Sequence, residues 1–200
     1  MAIIITLIIL AIALVLVVII RPSVATVKGG GIIVLLAIFV LPVIVFVYGA
    51  TEHLETSKQT DFCLSCHAMK PYGESLKIDD LDYLPANHSQ NNRIPSDKAC
   101  FTCHTNYTMF GGIKVKIQGL RHFFIQYFGK TPEAITLYEP FQNRECLHCH
   151  DGARSFEENP IHEAMLVDLK SNDLSCLECH TNFHDIANLN EKTFWERSEN

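Results

Sequence analysis

The sequence lacks the short motifs by which many catalytic and nucleotide-binding sites are recognised. It contains no glycine-rich phosphate loop, no nucleophile elbow and no dinucleotide-binding fingerprint. No other dedicated catalytic constellation stands out, and this disfavours an enzyme that converts a small substrate.

The two parts of the chain differ in charge: the first has almost no charged side chains, and the second has an excess of acidic ones. Residues 1–50 contain only two charged side chains, Arg21 and Lys28. The remaining 150 residues contain fourteen basic and twenty-two acidic side chains. Because binding to a phosphate backbone needs a basic surface, this acidic part argues against nucleic acid as a partner.

Two apolar runs near the N-terminus predict a pair of transmembrane helices. Ile3–Ile20 has one polar side chain, Thr6, and a second run spans Ile32–Tyr48. Each is near the roughly 20 residues that cross about 30 Å of hydrocarbon as a helix. The first run could instead be a cleaved signal peptide, although it lacks a charged n-region and an A-x-A-like cleavage site. We expect a transmembrane hairpin, with a cleaved or single-span arrangement as the alternative, and a kink at Pro42.

The linker between the two runs predicts the orientation of the hairpin. It carries Arg21 and Lys28, and positive charge favours the cytoplasmic side of a membrane. The loop should therefore be cytoplasmic and both termini outside. Residues 51–200 would then lie in the periplasm of a bacterial inner membrane, or its equivalent.

No cysteine lies outside a five-residue unit that occurs four times. The units read C-x-x-C-H and comprise Cys63, Cys66, His67; Cys100, Cys103, His104; Cys146, Cys149, His150; and Cys176, Cys179, His180. C-x-x-C-H is the attachment sequence of a c-type haem, whose iron takes an axial nitrogen from the histidine. A disulfide framework or a pair of zinc sites would not explain why histidine always follows the second cysteine. We therefore predict four covalently bound haem c groups.

Four haems in one small domain also bear on the fold class. Each porphyrin is a large apolar plate, so the chain can wrap cofactors instead of building an ordinary core. We expect a mainly α and irregular protein: a transmembrane helix hairpin (1–50), a multihaem cytochrome c domain with little or no sheet (51–190) and a polar tail (191–200). Haem c is generally attached on the outer face of the energy-transducing membrane, which agrees with the periplasmic placement.

The sequence around the four units carries further patterns. The first unit continues as C-x-x-C-H-x-M to Met69. His88-Ser-Gln-Asn-Asn-Arg93 precedes the second unit, Asn143-Arg144-Glu145 precedes Cys146, and His184 follows the fourth unit. With an N-terminal membrane anchor, this chain resembles the NapC/NirT family of quinol dehydrogenases, which includes the small subunit of cytochrome c nitrite reductase. The likeness covers residues 51–190; the second apolar span and a long insert around the third unit depart from the family.

The resemblance implies further axial ligands of iron. His88, His162 and His184 would be the distal ligands of the second, third and fourth haems, in an order that the sequence does not assign. At the first haem, Met69 would take the axial position instead of His67; the alternative is a buried methionine packed on the ring. His122 is a candidate ligand of the first haem, a proton acceptor for quinol or a membrane-surface residue.

The segment Tyr107–Phe128 interleaves cations with aromatic and aliphatic residues. This pattern is typical of a segment that lies on the bilayer interface. The resemblance implies a quinol-binding lysine after the second haem, for which Lys114 and Lys116 are the candidates. The alternative is a basic amphipathic helix that only contacts lipid headgroups.

The predicted function is that of a membrane-anchored tetrahaem cytochrome c in a respiratory chain. It would oxidise membrane quinol and pass electrons to a periplasmic reductase or carrier, as part of a hetero-oligomeric complex with that redox partner. One alternative is a structural relay and anchor subunit without its own quinol site. Another is reduction of a small substrate at an open haem position.

Overall fold

The computed structural model describes residues 2–130, 132, 135, 137, 139–184 and 186–196. These residues form helices and irregular connections without a sheet, apart from an isolated antiparallel bridge between Ile78 and Phe194. This confirms the predicted fold class. Contacts divide the chain into two units, one ending at Thr56 and the other beginning at Ser57. The last four residues of the predicted tail, 197–200, lie outside the described residues.

The first unit consists of helices that are almost entirely apolar. They are α1 (Ala2–Ile20), a 3₁₀ turn (Pro22–Ala25), α2 (Gly30–Leu35), a π-helical turn (Leu36–Val40) and α3 (Leu41–Thr56). The last three are continuous, so the unit has two long helices, and α1 contacts α2 and α3. Both are long and apolar enough to cross a membrane, which fits the predicted hairpin.

The second long helix passes through Pro42 without ending. Proline has no N–H, so the carbonyl four residues earlier loses its helical partner. The π-helical turn at Leu36–Val40 lies next to this position and locally changes the hydrogen-bonding frame. From Gly30 the helix runs 27 residues, about 40 Å at 1.5 Å per residue. Its polar last turns, with Glu52 and Glu55, therefore exceed the hydrocarbon thickness.

The second structural unit, which begins at Ser57, contains short helices around one longer helix. They are α4 (Thr60–Leu64), α5 (Lys70–Glu74), α6 (Leu84–Gln90), α7 (Ala99–Cys103), α8 (Gly111–Phe128), α9 (Asn143–His150), α10 (Arg154–Glu157), α11 (Pro160–Ser171) and α12 (Cys176–Cys179). Short 3₁₀ turns occur at His67–Met69, Ser75–Lys77, Ser96–Lys98 and Leu189–Glu191.

Few apolar side chains of the second unit are buried. One core cluster contains Ile78, Tyr83, Ala86 and Leu189. The end of the chain is attached beside it: Asp79 N–H donates to the Thr193 carbonyl at 2.9 Å, and Trp195 N–H donates to the Lys77 carbonyl at 2.7 Å. A core this small is compatible with the prediction that the chain packs around haem groups instead of around its own apolar side chains.

Candidate haem-binding site

Three of the four C-x-x-C-H units share a helical backbone. The second, third and fourth units lie on α7, α9 and α12. His104 N–H donates to the Cys100 carbonyl at 2.9 Å, and His180 N–H donates to the Cys176 carbonyl at 3.0 Å. One helical turn places both thiols of a unit on the same side, where the two vinyl groups along one edge of a porphyrin could be reached.

The fourth unit also encodes the start of its own helix. Ser175 Oγ accepts from Leu177 N–H at 3.3 Å, and the Glu178 carboxylate accepts from Ser175 N–H at 3.0 Å. This is a capping box, S-x-x-E, in which a variable position of the C-x-x-C-H unit caps the helix.

The first unit has a different backbone. Helix α4 ends at Leu64, between the two cysteines, and Cys66 is extended with φ −81° and ψ 127°. Cys66 N–H makes a long 3.4 Å bond to the Cys63 carbonyl, and Met69 N–H donates to the Cys66 carbonyl at 2.9 Å. A 3₁₀ turn then carries His67 to Met69. The imidazole of His67 is therefore not presented as in the other three units.

The cysteines of consecutive units lie close together, and none of the eight forms a disulfide. Cys63 lies within hydrogen-bonding distance of Cys100. Cys146 and Cys176 form a similar pair. Among the described residues no three or more His, Cys, Asp or Glu side chains surround one point where a metal ion could sit.

Three pairs of imidazole rings lie about 6 Å apart. The ring centres are 6.0 Å apart for His104 and His184, 6.0 Å for His88 and His150, and 6.2 Å for His162 and His180. With metal–imidazole bonds of about 2 Å and roughly 1 Å from nitrogen to ring centre, two rings on opposite sides of an iron lie about 6 Å apart. Each pair joins one motif histidine to one distal candidate, so the spacing fits bis-histidine ligation.

The hydrogen bonds of the distal histidines select one tautomer. His88 Nδ1 lies 2.8 Å from the Leu84 carbonyl, and His162 Nδ1 lies 3.2 Å from the Phe156 carbonyl. A carbonyl can only accept, so Nδ1 carries the proton and Nε2 has a free lone pair. His184 Nδ1 lies 2.9 Å from Ser75 Oγ. Iron ligands commonly have this outer-shell bond.

Burial keeps several of these imidazoles neutral. It lowers the pKa of His104, and together with His104 it lowers the pKa of His184 to about 4. The pKa of His150 is lowered by burial first, and then by the neighbouring His88, His180 and His162. A neutral ring near pH 7 has the lone pair that binds iron.

The two candidate lysines occupy different surroundings on α8. Lys116 is half-buried; its ammonium lies 4.9 Å from the Phe101 ring centre and bonds to the Ser57 carbonyl. Burial lowers the pKa of Lys116, whereas the nearby Cys63 acts to raise it. Lys114 is exposed and pairs with Glu139 at 2.8 Å. Residues two apart on a helix point about 200° apart, which separates the two.

The residues proposed for the first haem and for quinol are not all brought together. Met69 is half-buried, and His67 and His122 are exposed. None of the three ring pairs includes His67 or His122. Of the three quinol candidates Lys114, Lys116 and His122, Lys116 is the one near Cys63 and Cys100, cysteines of the first two units. Ser75 was not a candidate from the sequence, because a serine 109 residues from its histidine has no local pattern.

Comparisons with known proteins identify a family. Residues 25–189 match the family model described as "NapC/NirT cytochrome c family, N-terminal region". The cytochrome c-type protein NapC of Haemophilus influenzae is 29% identical over 168 residues, covering 76% of this chain and 78% of that protein. A protein of Allochromatium vinosum, whose name describes a tetraheme c-type cytochrome, is 26% identical over 153 residues, covering 68% and 79%. No solved structure matches the chain.

Proposed function

The chain belongs to the NapC/NirT cytochrome c family, and from this premise we propose that it is a tetrahaem quinol dehydrogenase with its haem domain on the periplasmic side. Membership makes it a c-type cytochrome with covalently bound haem c that works in electron transfer, and relatives in the family are membrane-anchored. The quinol substrate, the number of haems, the sidedness and a hetero-oligomeric complex with a periplasmic redox partner are the proposed parts.

The three ring pairs support the proposed ligation of three haems. The second haem would have His104 and His184 as ligands, the third His150 and His88, and the fourth His180 and His162. From these pairs we propose this order of the distal ligands, which the sequence alone left open. Two strong axial ligands are typical of haems that only transfer electrons.

The backbone of the first unit supports a different ligation of the first haem. Because α4 ends before Cys66, the position that the motif histidine has in the other units is not reproduced. We propose Met69 as the axial ligand, since it is half-buried and only two residues beyond His67. A haem with one weak or open axial position is suited to chemistry rather than to relay alone.

The observation that carries the quinol proposal is the position of Lys116. It lies on α8 beside the cysteines of the first two units, next to an exposed apolar stripe. Ile113, Ile117, Leu120, Phe124 and Phe128 form this stripe and are 50–79% exposed. Their spacing puts them on one helical face, the kind of surface that enters a bilayer interface. A quinol leaving the bilayer along this face would meet the ammonium of Lys116.

The proposed mechanism divides the work between cofactor and protein. When bound, haem c supplies reversible one-electron transfer. Lys116 donates a hydrogen bond to a quinol oxygen and stabilises the negative charge left as a proton departs. Partial desolvation, and then the charge of Arg121, lower the pKa of the exposed His122, so a proton that its neutral ring accepts from quinol near pH 7 passes on to solvent.

The test is quinol oxidation by the purified haem-loaded chain in lipid discs. Reduced menaquinol analogue should reduce the haems without any partner, and Lys116→Gln should slow this about 10–100-fold. Lys114→Gln is the matched control on the same helix and should change the rate less than about twofold.

Two results would contradict the proposal. If the wild-type chain is not reduced by quinol alone but is reduced once a partner complex is added, the chain is a structural relay. If Lys114→Gln and Lys116→Gln slow the reaction equally, the general positive charge of α8 is responsible instead of one bound ammonium.

A further inference from the structure

Among the described residues, Ser75 is a side chain whose hydrogen bond orients a distal histidine. His88 and His162 donate their Nδ1 protons to backbone carbonyls. His184 instead lies 2.9 Å from Ser75 Oγ, which comes from the 3₁₀ turn Ser75–Lys77. The orientation of this imidazole therefore depends on a hydroxyl that a single substitution can remove.

The proton of the Ser75 hydroxyl has another partner. Ser75 Oγ lies 2.7 Å from the Tyr72 carbonyl, which can only accept, so the hydroxyl donates there. The oxygen lone pair is left to accept the Nδ1 proton of His184. Consequently Nε2 of His184 is unprotonated and lies on the side of the ring that is available to iron.

The surroundings prevent water from replacing this hydroxyl. Ser75 is 0% exposed. The Tyr72 ring packs edge-on against His184 with 5.5 Å between ring centres, and Tyr72 is itself hydrogen-bonded to Ile135. An Nδ1 proton without an acceptor in such a site loses a hydrogen bond that solvent does not restore.

We propose that Ser75 is a positioning residue for the iron held between His104 and His184, and that it sets the reduction potential of that haem. By accepting a hydrogen bond from Nδ1–H of His184, Ser75 makes Nε2 a stronger electron donor. This stabilises the ferric state. It also holds the imidazole planes of His104 and His184 close to parallel, at 21°. The proposal rests on the ligation proposed above and is independent of quinol oxidation.

The test is a spectroelectrochemical titration of the full haem-loaded chain, combined with electron paramagnetic resonance (EPR). In Ser75→Ala the potential of one haem should rise, with a roughly tenfold larger ferrous-to-ferric ratio at a fixed potential, equivalent to about 59 mV for one electron. The EPR signal of the same haem should shift, because the ring of His184 can rotate. The other three haems should be unchanged.

Two further variants make the result specific. His184→Gly identifies the signal of this haem by its loss, and glycine suits the backbone there because φ is 41°. Ser171→Ala is the control: it removes a hydroxyl, away from both ligands of this haem, that bonds to the Asp168 carbonyl at 3.2 Å and the Asp173 carboxylate at 2.6 Å. It should leave all four potentials in place.

The outcomes separate the two proposals. If Ser75→Ala changes neither potential nor signal, or if Ser171→Ala shifts the same haem equally, the role of Ser75 is overturned while the ligation stands. If His184→Gly leaves every low-spin signal intact, His184 is not a ligand and the proposed ligation fails first.

Discussion

The angles between paired imidazole rings are the residue-scale feature with the most direct spectroscopic consequence. The planes meet at 21° for His104 and His184, 47° for His162 and His180, and 76° for His88 and His150. Parallel planes separate the energies of the iron d orbitals more than perpendicular planes do. We therefore expect three different low-spin ferric EPR signals, the most rhombic from the 21° pair and the most anisotropic from the 76° pair.

The first haem should add a fourth, different signal. If Met69 is its axial ligand with a weak or open position opposite, low-temperature EPR should show one high-spin ferric component, which Met69→Leu should alter. Met165→Leu, on a different helix, is the control and should leave the component unchanged. Four low-spin bis-histidine signals would contradict ligation by Met69 and favour His122 instead.

The residues of the site differ in how far the sequence could predict them. The motif cysteines and histidines have fixed spacing, so their chemistry can be inferred without a fold. The partner of each distal histidine could not be predicted, because His88 meets a ring 62 positions along the chain and His104 one 80 positions along. Ser75 gave no signal for the same reason: its role depends on how distant segments meet.

At the scale of helices, Asn143 connects the third and fourth C-x-x-C-H units. Its Nδ2 donates to the Leu169 carbonyl at 2.8 Å and to the Leu174 carbonyl at 2.6 Å, and its Oδ1 accepts from Cys176 N–H at 2.9 Å. The side chain is only 2% exposed. It thereby joins the first turn of α9 to the end of α11 and the start of α12.

Asn143→Ala should consequently loosen both units at once. Three buried backbone groups would lose their partner, and we expect the free energy of unfolding to fall by about 3 kcal/mol. Denaturant titration of the haem-loaded chain, followed by the loss of low-spin absorbance, measures this. Asn91→Ala, whose exposed side chain bonds only to Asn87, should change the value by less than about 0.5 kcal/mol. Equal effects of the two variants would contradict the connecting role.

The helices themselves illustrate where sequence patterns suffice. The apolar runs predicted two long helices because helix length and membrane thickness are linked. The pattern of α8 predicted an amphipathic helix, but it could not choose between Lys114 and Lys116, since only the packing of α8 against Phe101 distinguishes their sides. The early end of α4 was also not predictable: all four units read C-x-x-C-H, and only the first departs from the shared helical backbone.

For the whole molecule, the charge of the loop between the two long helices connects membrane topology to cofactor loading. Arg21 and Lys28 are its only charged side chains. By the positive-inside preference, the proposed orientation has this loop in the cytoplasm and the four C-x-x-C-H units outside. Because haem c is attached on the outer face, a chain inserted the wrong way round should carry no haem.

Replacing both charges should therefore lower the fraction of correctly oriented chains and the haem content together. An alkaline phosphatase fused to the C-terminus is active only outside, where its disulfides form. We expect Arg21→Gln with Lys28→Gln to lower its activity and the covalent haem per chain by the same fraction. Lys77→Gln with Lys98→Gln removes the same charge further along the chain than the roughly 20 residues over which the preference acts. This pair should change neither the phosphatase activity nor the haem content. If the phosphatase activity falls while the haem content does not, haem attachment does not depend on the predicted orientation. The proposed periplasmic placement of the structural unit from Ser57 would then have to be abandoned.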